Sequence, residues 1–156
     1  MKRIRCCIVD PKRKYRGIDR EVDMRVFNHL HDSQLYRNAL DQYSEYLACE
    51  EEYTADNLSL MASFVEMLNG FHVECEIVIY SMDPIKDMEK LCFLGIDILD
   101  QHMKSVVKES PRQRFQRVNQ FGLFFSEEDA SNAIQQMNMI DANCNDLFFV
   151  YRYSMH

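Results

Sequence analysis

Apolar residues recur at two different spacings along this chain, and the changes of spacing divide it into elements. Ile4 to Asp10 is a short β-branched, cysteine-containing run that closes on Asp10-Pro11, a turn signal, and it reads as a strand. Lys12 to Ile18 is a polar loop containing Gly17. Behind Asp19, a plausible N-cap, Val22, Val26, Phe27 and Leu30 return at helical spacing and predict a helix of about three turns. Asp32 or Ser33 caps a second helix whose apolar stripe is Leu35, Tyr36, Ala39, Leu40, Tyr43, Tyr46 and Leu47. Thr54 or Asp56 opens a third, with Leu58, Met61, Ala62, Phe64, Val65 and Leu68 as its buried face. Asn69-Gly70 is its expected stop, because glycine tolerates the left-handed conformation there.

The spacing then changes from helical to alternating. From Phe71 to Tyr80, Phe71, Val73, Cys75, Ile77 and Ile79 alternate with His72, Glu74 and Glu76, which predicts a strand with one core face and one wet face. Asp83-Pro84 reads as a cap with proline at the first helical position, starting a short turn of helix toward Lys90. Leu91 to Leu99 reads as a strand with a bulge at Gly95. Gln101 to Arg117 is polar and ambiguous. Ser126-Glu127-Glu128-Asp129 is a capping signature ahead of a helix with Ala130, Ala133, Ile134 and Met137 on one face. Leu147 to Tyr153 closes the chain as a strand. The order strand, three helices, two strands, helix, strand predicts an α+β fold over residues 1–156 as a single domain. An antiparallel or mixed sheet of about four strands, packed by three to four helices, is the expected architecture.

Composition supports a folded domain. The 156 residues are 47% hydrophobic and 28% charged, with Gly 4 and Pro 3. A chain of this length buries roughly 70% of its unfolded surface and needs no staples. No apolar run reaches the length of a membrane span, and the opening segment lacks the long apolar region of a signal peptide, so the expectation is a cytoplasmic protein with no membrane partner. Six cysteines without a C-x-x-C read as reduced, mostly buried thiols. The five histidines show no zinc-finger or H-E-x-x-H spacing, so no metal is expected.

Charge changes the picture most. Residues 1–20 carry net +6, residues 21–103 net −13, and residues 104–156 net 0. An acidic chain is a poor duplex binder, since that affinity rests on cationic contacts to phosphate. The basic stretch Lys12-Arg13-Lys14-Tyr15-Arg16 reads as a solvated loop that balances its acidic neighbour. There is no G-x-S-x-G elbow, Walker-A loop, G-x-G-x-x-G or EF-hand loop. Asp97, Asp100 and His102 lie close in sequence and in principle make an acid–base cluster; a strand end followed by a polar turn is the preferred reading of them.

The positive signal is acidic. Asp41, Glu45, Glu50, Glu51, Glu52 and Asp56 fall within sixteen residues that contain no Lys or Arg, interleaved with Tyr43, Tyr46 and Tyr53. Asp41 and Glu45 stand one helical turn apart and repel, and Glu50-Glu51-Glu52 oppose the dipole at the end of their helix. Such a cluster either is a solvated helix face or meets a cationic protein, with tyrosines such as Tyr53 supplying contact area.

Phe93-Leu94-Gly95-Ile96-Asp97-Ile98-Leu99-Asp100 resembles a pattern seen in small bacterial immunity proteins, the antidotes of contact-dependent growth inhibition and related polymorphic toxins. Asn119-Gln120-Phe121-Gly122-Leu123-Phe124-Phe125, with the acidic helix start and terminal aromatic strand after it, is similar in style. Residues 1–90 carry no such likeness, and Gln101-His102-Met103 departs from the small-residue stretch of that pattern. The resemblance implies a protein without catalytic residues or cofactor that binds one cognate basic toxin, often a nuclease, and blocks its substrate cleft. Its partner-binding residues would be Asp41, Glu45, Glu50, Glu51, Glu52, Tyr53 and Asp56. Two other readings remain open. One is a small enzyme or nucleic-acid-associated factor using the Asp97/His102 region and the 12–16 loop. The other is a phage-type inhibitor that imitates phosphate in the same way.

Overall fold

The computed structural model describes residues 4–9, 33–48, 52–72, 74–86, 89–100, 118–137 and 146–154. Four strands and three helices occur among them: β1 (Ile4–Val9), α1 (Ser33–Ala48), α2 (Ala55–Gly70), β2 (Glu76–Ser81), β3 (Leu91–Leu99), α3 (Glu127–Met137) and β4 (Asp146–Tyr153). The strands form one sheet in the order β1-β2-β4-β3, every neighbouring pair antiparallel. The class is α+β. The helix expected behind Asp19 and the polar stretch 101–117 lie outside the described residues.

Register explains how the sheet divides the core. Cys6 lies opposite Ile79, Ile8 opposite Ile77, and Ile79 opposite Tyr151, so these side chains share one face. That face meets Ala39 and Tyr46 of α1 and Met61, Phe64, Val65 and Leu68 of α2 in the largest buried cluster. The rings of Tyr46 and Phe64 stack at 5.5 Å between centroids and tie the two helices together. On the other face Val78, Tyr80, Phe148 and Val150 are buried with Leu94, Leu99 and Leu123. β2 is therefore apolar on both sides, which corrects the expectation of a wet face. A strand between two partners, with a packed layer on each side, reads as a continuous apolar run.

The third cluster depends on a bulge. Between Phe93 and Gly95 the register of β3 on β4 slips: Phe93 faces Tyr151, whereas Ile96 faces Phe149. One extra residue on β3 reverses which face every later side chain takes. Ile96 and Ile98 consequently turn toward Phe124, Ala130 and Ala133, where α3 packs. Gly95 sits at φ +145, and a Cβ there would lie 2.7 Å from Leu123 Cβ, 2.9 Å from Asn119 Nδ2 and 2.9 Å from the Phe124 carbonyl oxygen. Segment 118–124 closes on this spot. Ile96 and Phe124 exchange both backbone hydrogen bonds, at 2.9 and 2.8 Å, and Asn119 Nδ2 donates to the Leu94 carbonyl at 2.6 Å. Asn119 Oδ1 accepts from the amides of Phe121 and Leu123, which holds the turn in shape.

Caps follow the expected chemistry in two places. Thr54 Oγ1 accepts from the Asn57 amide at the start of α2, and Ser126 Oγ accepts from the Asp129 amide at the start of α3. Elsewhere the structure differs. α2 continues through Gly70, and the left-handed residue after it is His72, at φ 64, with its amide bonded to the Asn69 carbonyl. The strand expected from Phe71 consequently starts at Glu76. The turn of helix expected from Asp83 does not form over Asp83–Lys86. The Ser81 hydroxyl accepts from the Asp83 amide and donates to the Asp83 carbonyl, and the Ile85 amide is taken by the Tyr151 hydroxyl. These bonds draw the segment back over the sheet. Leu40, expected in the buried stripe of α1, is 37% exposed, and Cys92 is exposed on the outer strand whereas Cys6 and Cys75 are buried.

Gly95→Ala should lower unfolding free energy by about 2–4 kcal/mol, combining the strained φ with a clash against backbone and a packed side chain. Gly70→Ala, where an added Cβ meets nothing, should hold or raise stability by up to about 1 kcal/mol. Urea denaturation of both variants separates the two sites. His72→Gly should raise unfolding free energy by about 1 kcal/mol, read as a higher urea midpoint, because glycine carries no penalty at positive φ.

Candidate protein-binding surface

α1 and α2 form a hairpin over one face of the sheet, and its turn brings together the end of α1 and the start of α2. Ala39 and Tyr46 pin α1 inward, which leaves Asp41 and Glu45 on the exposed side, one turn apart. α1 has no basic residue in its last turn, so Glu45 faces the negative end of the helix dipole uncompensated from that turn. Asp56 is exposed in the first turn of α2, where the dipole favours an anion. From residue 38 to residue 85 the chain holds ten Asp or Glu and no Lys or Arg, so Arg37, exposed one turn before Asp41, is the cation that the two helices carry.

Two of the residues expected at the partner surface serve the fold. Glu52 is half-buried, and its carbonyl accepts from Cys6 Sγ at 3.2 Å, from Asn57 Nδ2 at 3.1 Å and from the Thr54 amide at 3.1 Å. Tyr53 is half-buried and packs against the main core. Both lie at the hairpin turn, between the exposed Glu45 and Asp56. Glu50 and Glu51 lie outside the described residues, as does the basic 12–16 loop.

The alternative acid–base cluster has a different setting. Asp97 is fully buried in β3, and its Oδ1 accepts from the Ile98 amide at 2.8 Å. Ile98 shares the hydrogen-bonding direction of Ile96, two residues earlier, whose amide and carbonyl point away from β4 toward Phe124. The carboxylate therefore satisfies a backbone donor that β4 cannot reach. A general acid or base must reach a substrate proton, and a fully buried carboxylate does not offer that reach. Asp100 is half-buried past the strand end, and His102 lies outside the described residues. Among the described residues no three His, Cys, Asp or Glu side chains converge as a metal site. No described helix is long and apolar enough to cross a membrane.

Sequence periodicity could not show that Glu52 accepts bonds through its carbonyl or that Asp97 takes up the Ile98 amide, because both roles depend on residues distant in the chain or on strand direction. No protein-family model, curated protein or solved structure matches the chain.

Asp97→Ala should cost about 1–3 kcal/mol by stranding a buried amide, and Asp97→Asn, which keeps an acceptor oxygen, should cost less. Chemical denaturation of the pair checks the ranking, and equal losses would show that the Ile98 bond does not set the cost.

Proposed function

We propose that this chain is an immunity-type binding protein that neutralises a cognate basic toxin domain, a nuclease being the best fit, by laying a carboxylate-rich helical surface over its cationic substrate cleft. It works in the cytoplasm, without a catalytic group, metal or cofactor of its own, and its scaffold is a sheet of about four strands with three to four helices. Asp41, Glu45 and Asp56 are the charged contacts, Glu50 and Glu51 extend them, and Glu52 and Tyr53 fix the turn between the helices.

The observation that carries this reading is Glu45: an exposed carboxylate one turn from Asp41, at the wrong end of a helix dipole, in a stretch of chain from residue 38 to residue 85 that holds no Lys or Arg. Each of these placements opposes folding by a few tenths of a kcal/mol. A positive partner reverses their sign, and opposed fields also speed encounter. The resemblance of Phe93–Asp100 and Asn119–Phe125 to immunity proteins points the same way. The buried setting of Asp97 gives the enzymatic alternative no comparable support.

The test is co-expression with the variable C-terminal domain of a large secreted protein encoded immediately upstream. The chain should restore growth, and reversing Glu45, Glu51 and Asp56 to lysine should abolish the rescue. Growth arrest with the unaltered chain, or the absence of such a neighbour, would overturn the immunity reading. A host nucleic-acid-binding protein as partner would instead favour the phage-type inhibitor.

Glu45→Lys alone should separate binding from folding. It should raise unfolding free energy by about 0.3–1 kcal/mol while slowing association with the toxin domain several-fold. Glu89→Lys, at an exposed residue outside the surface, should leave association unchanged. Thermal unfolding and surface plasmon resonance on the same preparations check both halves.

A further inference from the structure

We draw no further inference here: the strongest candidate, the exposed Phe93 of the edge strand β3 with the Phe149 and Tyr151 rings of the neighbouring β4 beside it, carries nothing because nothing in the structure shows what covers it.

Discussion

A single extra residue in β3 determines how the two layers of this protein fit together. The bulge at Gly95 changes the parity of the strand, so Leu94 and Leu99 fill the core on one face while Ile96 and Ile98 fill the core on the other. Without it, the residues after Phe93 would turn to the wrong side, and α3 would meet a carboxylate where it now meets isoleucine. Glycine is needed at that point for two separate reasons. Its φ of +145 is closed to side chains, and segment 118–124 approaches to within 3 Å of where a Cβ would stand. Asn119 then bonds Leu94, the residue that the register skips, and Phe124 bonds Ile96 just after it, so the irregularity is held in place.

The helical hairpin is built differently. Its inner side is apolar and well packed through Tyr46, Phe64 and Leu68, and this anchoring fixes which side chains of α1 face outward. The sheet can therefore tolerate an outer surface arranged against local stability. Exposed like charges and an anion at a helix C-terminus are small costs beside the burial of several aromatic and aliphatic side chains. Such anchoring would also hold the carboxylates in place for the proposed partner and lower the ordering cost of association. The half-buried pair Arg152–Glu76, bridged at 2.6 Å with Arg152 over the Phe121 ring, makes a modest addition on the opposite face.

Much of the fold was legible because it is encoded locally. The Thr54 and Ser126 caps, the apolar stripe of α2 and the Gly95 bulge all follow from neighbouring residues. What was not legible came from distance. The alternation around Phe71–Cys75 imitates a strand, yet α2 runs on through Gly70 and His72 takes the left-handed turn, so the helix end governs those residues. Asp83-Pro84 has the form of a helix start, but Ser81 and a tyrosine from β4 claim its backbone groups. Val78 and Tyr80 could be placed inside only by knowing that β2 lies between β1 and β4. For the candidate surface, the acidic run was visible as charge, and the exposure of Asp41, Glu45 and Asp56 agrees with it. The backbone role of Glu52 and the inward packing of Tyr53 needed the tertiary contacts with Cys6 and the core.

The central claim is that charge on α1 and at the start of α2 guides this protein to a cationic partner. The direct measurement is the association rate with the proposed toxin domain as ionic strength is raised from about 0.05 to about 0.5 M, a range over which screening removes long-range attraction. The account predicts that the on-rate falls by about tenfold or more while the off-rate changes little. An on-rate indifferent to salt would contradict it.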